Sequence, residues 1–132
     1  MTRILLVDDD EDNLKIFTII LENQGFIVKG YSDPDLALTN FKPGQFDLIM
    51  LDYRMPKING IELYKSMREI DHSARITLLT ASHEQMHFYE SQGIKEEPLM
   101  KVIRKPIGVR KLLEEVTELL NDNGDNSPKI IK

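Results

Sequence analysis

The chain contains no cysteine. Disulfides and thiolate metal sites are therefore excluded, which fits a reducing compartment. No apolar run approaches the roughly 20 residues that a membrane-spanning helix requires. Strand-like sequence begins at Arg3 and leaves no room ahead of it for a signal peptide, so the expectation is a cytoplasmic protein with no membrane partner. There is no internal repeat and no low-complexity block. Positive charge is in short supply: 17 Lys and Arg stand against 22 Asp and Glu, a formal net charge of −5. That balance argues against a direct nucleic-acid grip by this domain. What is present is ordinary for a globular chain: 132 residues, 41% hydrophobic and 30% charged. This is enough for one domain with a buried core.

The acids are not scattered. Ile4-Leu5-Leu6-Val7 runs directly into Asp8-Asp9, and Leu48-Ile49-Met50-Leu51 runs into Asp52. An apolar stretch that stops at an acid reads as a buried strand delivering the acid to a sheet edge. Two such strands side by side and parallel would crowd three carboxylates. Crowded carboxylates repel unless a hard cation sits among them.

Strand and helix patterns alternate five times. Strands are predicted at Arg3 to Val7, Ile27 to Tyr31, Asp47 to Leu51, Ile76 to Leu79 and Lys101 to Arg104. Between them, Glu11 to Asn23 carries a helical stripe (Leu14, Phe17, Leu21) with Gly25 just past its end. Asp33-Pro34 starts a second helix, ending near Phe41, since Asp caps and Pro is tolerated at the first helical position. Gly60 precedes a third helix with Leu63, Tyr64, Met67 and Ile70. A poorly patterned helix is expected at His83 to Gln92. The last carries the cleanest amphipathic stripe: Val109, Leu112, Leu113, Val116, Leu119 and Leu120. Residues 1–121 read as one domain, and 122–132 as a loose tail or the start of a linker. Such alternation gives a parallel sheet with helices on both faces, and ligands bind beyond the carboxyl ends of its strands.

The polar residues ending those strands are Asp8, Asp9, Asp52, Thr80 and Lys105. Three acids, a hydroxyl and an amine suit phosphoryl transfer. Asp52 would be the nucleophile, forming an acyl phosphate. Asp9 and Asp52 would hold magnesium, with Asp8 acting directly or through water; manganese is an alternative. Thr80 would donate to a phosphoryl oxygen. Lys105 would pair with Asp52 before reaction and with phosphate after it.

These residues carry a resemblance. Leu6-Val7-Asp8-Asp9, Asp47 through Asp52, Met55-Pro56 with Gly60, Leu79-Thr80-Ala81 and Lys105-Pro106 together resemble the receiver domain of two-component response regulators, over about residues 3 to 120. The resemblance implies a flavodoxin-like, doubly wound five-stranded parallel sheet of order 2-1-3-4-5. It implies that Asp52 takes a phosphoryl group from a phosphohistidine on a sensor histidine kinase or phosphotransfer protein. It implies a further metal ligand, the backbone carbonyl of Arg54, and a cis bond from Lys105 to Pro106. The downstream partner is not named by these residues. A weak homodimer stays open, and nothing in the composition requires one. Two departures bear on output. The aromatic switch common in the family, three positions before the lysine, is Val102 here. The stretch from Gly93 to Lys101 is longer than usual and acidic in its middle.

Other readings compete. Asp8 and Asp9 alone could cap the following helix, whereas Asp10, Glu11 and Asp12 read as helix-start charges. His83 and His87 have i, i+4 spacing, which a solvated helix face explains better than a metal does. Arg104, Lys105, Arg110 and Lys111 read as basic surface beside an anionic site. An aspartate-nucleophile phosphohydrolase would usually place a second Asp where Arg54 stands. A degenerate receiver acting only as a binding module would have no need of all five site residues. The expectation is therefore a switch that catalyses its own phosphorylation and dephosphorylation, and not an enzyme acting on a diffusing substrate.

Overall fold

In a computed structural model, residues 2–53, 59–80, 90–91, 99–104 and 108–121 are described. Their strands are β1 (Arg3–Val7), β2 (Ile27–Tyr31), β3 (Leu48–Asp52), β4 (Ile76–Thr80) and β5 (Met100–Arg104). All pair in parallel, in the order β2-β1-β3-β4-β5. Four helices are defined among the described residues: α1 (Glu11–Asn23), α2 (Pro34–Thr39), α3 (Gly60–Ile70) and α4 (Val109–Asn121). The doubly wound fold expected from the sequence is the one observed.

Alternation along the strands sorts the core into two layers. Leu5, Val7, Ile49, Leu51, Ile76 and Leu78 face one way and pack on Ala37 of α2 and on Ile61, Leu63, Tyr64 and Met67 of α3. Ile4, Leu6, Leu48, Met50, Leu79 and Ile103 face the other way, onto Leu21 of α1 and Leu112, Val116 and Leu119 of α4. The central strands are apolar at nearly every position because both faces are covered. Each fully buried Leu or Ile contributes about 1.5–3 kcal/mol relative to exposure.

Most element bounds match the sequence pattern, and the differences fall near the site. β3 begins at Leu48 and includes Asp52, one residue later than predicted. Asp47 is left outside, where its carboxylate accepts the Arg3 amide at 2.8 Å. β4 likewise runs on to Thr80. α2 stops at Thr39, two residues early; Asn40 caps it, its side-chain amide donating to the Leu36 carbonyl at 2.9 Å. Gly60 is the first residue of α3 and does not merely precede it, because Asn59 caps the helix by accepting from the Glu62 amide at 3.0 Å. Glu90 and Ser91 are helical; the rest of the helix expected at His83 to Gln92 lies outside the described residues, as does the tail 122–132. Among the described residues, no helix is long and apolar enough to cross a membrane.

Candidate functional site at the carboxyl ends of the strands

The register brings the acids together. β1 lies directly between β2 and β3, with Val7 opposite Leu51. The next residue on each strand is an acid, Asp8 and Asp52, so sequence position alone sets the two carboxylates side by side. Both are buried, Asp8 fully and Asp52 at 7% exposure. Asp9 follows on the exposed rim. One carboxylate oxygen from each of Asp8, Asp9 and Asp52 can be chosen so that all three lie within 4.8 Å of one another.

The start of α1 holds this end of β1. Asp10, and not Asp8 or Asp9, is the N-cap: its carboxylate accepts from the amides of Asp12 at 3.0 Å and Asn13 at 3.2 Å. Glu11 and Asp12 occupy the first turn, where acids are favoured by the helix dipole. The Asp10 amide in turn donates to Oδ1 of Asp8 at 3.0 Å. Capping is thus done by the third acid of the run. The first two are left to the site, with Asp8 oriented by a backbone N–H.

Thr80 closes β4, fully buried. Asp52 stands opposite Leu79, so Thr80 sits one residue beyond the acid on the neighbouring strand. It is opposite Arg104, the last residue of β5. Val102 is opposite Leu78 and packs, partly buried, against the layer beneath α2 and α3. Lys105 and Arg54, together with the Lys105–Pro106 bond, Met55, Pro56, His83 and His87, lie outside the described residues.

Three carboxylates, two of them buried, offer hard oxygen donors and concentrated negative charge. That donor set fits a hard divalent cation such as magnesium, and does not fit a soft metal that prefers sulfur. Asp8, Asp9 and Asp52 are the residues that could hold it. Sequence reasoning missed the supports of the site: Asn59, the Asp10 cap, and the contact of Gly60 with the Asp52 backbone. The sequence signal for Asn59 was present, a capping residue one position before a helix.

Comparison with known proteins agrees with this fold. Residues 4–117 match the family model described as the response regulator receiver domain. The chain is 30% identical over 120 residues to the response regulator receiver protein CpdR of Brucella abortus, covering 91% of this chain and 98% of that one. It is 31% identical over 129 residues to the DNA-binding response regulator MtrA of Mycolicibacterium paratuberculosis; this covers 98% of the chain but only 56% of MtrA. Among solved structures it is similar to the response regulator TrrA of Thermotoga maritima in complex with Mg(2+)-BeF. That similarity has a TM-score of 0.76 at 29% identity, over 90% of this chain and 99% of that one.

Proposed function

The chain belongs to the response regulator receiver domain family, and on that premise we propose that it is a phosphorylatable switch in a two-component or phosphorelay pathway. Asp52 accepts the phosphoryl group, supplied by a phosphohistidine on a sensor histidine kinase or phosphotransfer protein. An Asp52 carboxylate oxygen attacks phosphorus, a P–O bond forms, the P–N bond to the donor imidazole breaks, and that nitrogen keeps the electron pair and takes a proton. Water later hydrolyses the acyl phosphate and restores the carboxylate. The single observation that carries this reading is the convergence of Asp8, Asp9 and Asp52 within 4.8 Å at the carboxyl ends of parallel strands, where such folds place their ligands.

Asp8, Asp9 and Asp52, with the Arg54 carbonyl, would hold magnesium, and manganese would substitute for it. Bound there, the cation supplies positive charge to the phosphoryl oxygens as charge redistributes during transfer. Asp8 is kept in orientation by the Asp10 amide. Asp52 is largely shielded from bulk water by its burial, which limits competition from water. Thr80 donates its hydroxyl to a phosphoryl oxygen, and Lys105 pairs with the phosphoryl charge. The domain acts on itself and releases no transformed small molecule, so it is a switch and not an enzyme with a diffusing substrate. Residues 1–121 make up the receiver and 122–132 a tail or linker start. The domain works in the cytoplasm, makes no direct nucleic-acid contact, and passes its signal to a partner by changing that partner's affinity.

The experiment is intact-mass spectrometry after incubation with acetyl phosphate and magnesium. Wild type should gain one phosphoryl group, and Asp52→Ala none. Equal labelling of the two would refute the assignment.

A further inference from the structure

We infer that Gly60 is a positioning residue for Asp52: its missing side chain lets the first turn of α3 clamp the peptide that carries the phosphoacceptor. This rests on the receiver reading and adds to it a residue that touches no phosphoryl group. Gly60 is buried, and its φ is not positive; among the described glycines only Gly25 and Gly44 have positive φ. Backbone freedom therefore does not call for glycine here. Space does. A Cβ at position 60 would lie 2.7 Å from the Asp52 carbonyl oxygen, 3.0 Å from the Tyr53 Cα and 3.3 Å from the Asp52 carbonyl carbon. Such atoms belong to the main chain and cannot rotate aside.

The same peptide is held from its other side. The Tyr53 amide donates to the Leu79 carbonyl of β4 at 3.0 Å, and the Gly60 amide donates to the Tyr53 carbonyl at 3.0 Å. The Asp52–Tyr53 unit is thus gripped between β4 and α3. α3 itself has little freedom to retreat. Asn59 caps it, and Ile61, Leu63, Tyr64 and Met67 are buried on it. Any side chain at 60 must therefore displace the Asp52 backbone, the helix, or both. The convergence of three carboxylates tolerates little displacement, since metal–ligand distances hold to within about 0.2 Å.

The test compares Gly60→Ala with Gly30→Ala. At Gly30 a Cβ would meet the end of the Leu14 side chain at 3.0 Å, on β2, which β1 separates from β3 and Asp52. Both substitutions crowd the fold, and only the first crowds Asp52. Magnesium titrations followed by the amide resonances of Asp9 and Tyr53 should show affinity reduced by about tenfold or more in Gly60→Ala, the usual scale for losing a ligand's supporting contact. Gly30→Ala should stay within about twofold of wild type, because the atom it crowds is the flexible end of the Leu14 side chain and not the Asp52 backbone. Unchanged magnesium affinity in folded Gly60→Ala would overturn the inference. If Gly60→Ala does not fold, the wild type decides. Coupling between the metal and Gly60 is reciprocal, so saturating magnesium should slow hydrogen exchange at the Gly60 amide; an unaltered rate would overturn the inference equally. Labelling of wild-type Asp52 by acetyl phosphate is measured in parallel. Its failure would refute the receiver reading, while the magnesium and exchange results still judge Gly60.

Discussion

The two ends of the sheet follow opposite electrostatic rules. At the amino-terminal ends of the strands, charge is matched to backbone. Arg75 donates to the carbonyls of Leu119 and Leu120 at 2.6 and 2.7 Å, closing the carboxyl end of α4. Arg68 donates to the carbonyls of His72 at 3.2 Å, Ala74 at 2.5 Å and Leu99 at 3.1 Å, and lies over the Tyr64 ring at 5.4 Å. Asp71 accepts from the Gly44 amide at 2.8 Å and from the Ser73 amide and hydroxyl, each at 3.1 Å. At the carboxyl-terminal ends, three acids meet instead. The first end is built for stability, since charges placed against dipoles stitch helices and turns to the strands. The second concentrates like charge, a cost that a stable scaffold tolerates where a cation or phosphoryl chemistry needs it.

The sharpest way to break this comparison is to cut the stitched end. Asp71→Ala removes the acceptor of three hydrogen bonds at a residue only 7% exposed. It should cost on the order of 3 kcal/mol, read as a lower urea midpoint, with magnesium affinity unchanged. A large loss of magnesium binding would show that the two ends are not separable.

The next effect is pH dependence. Burial alone would raise the Asp71 carboxyl's pKa, but the amides of Gly44 and Ser73, the Ser73 hydroxyl and the Arg68 guanidinium together hold it below its ordinary value of 3.8. The unfolded chain therefore binds the proton more readily than the folded one, and stability rises with pH across this range. The contribution is complete above the ordinary value and drains away as pH falls through the lower, folded value. Urea midpoints between pH 5 and about pH 2 should fall more steeply in wild type than in Asp71→Asn. Parallel slopes would remove Asp71 from the account.

The smallest effect lies midway between the ends. Thr77 is fully buried in β4, and its hydroxyl has no hydrogen-bond partner among the described residues. Thr77→Val keeps the shape and removes the unsatisfied group, so it should raise stability by about 1 kcal/mol. A lower melting temperature would mean that the hydroxyl has a partner in solution.

The sequence made one end far more legible than the other. All five strands were visible because apolar runs between helical stripes have few other readings, and the acids were visible because they terminate those runs. The run from Asp8 to Asp12 was harder to divide: its four aspartates are equally good caps by type, and only the backbone path assigns the cap to Asp10. The stitched end left almost no trace. Arg68 reaches Leu99, 31 positions away, and Arg75 reaches Leu119 and Leu120, 44 and 45 positions away. A side chain bonding a remote carbonyl has no periodicity to betray it. Gly60 was legible as a motif residue, but its reason for being glycine was not, because a shortage of space depends on the neighbouring strand.

The central claim is that the acids at the carboxyl end concentrate like charge that a divalent cation offsets. Thermal melting of wild type and Asp9→Asn, with and without magnesium, tests it most directly. Asp9 is exposed, so its neutralisation should barely disturb packing while removing one repulsive charge. Without metal the variant should melt higher than wild type, by about 2 °C. On this account magnesium binds the folded state and not the unfolded chain, so it should raise the wild-type melting temperature, yet raise the variant's much less, so that the order of the two inverts. A variant that melts below wild type without metal, and gains as much from magnesium, would contradict the account.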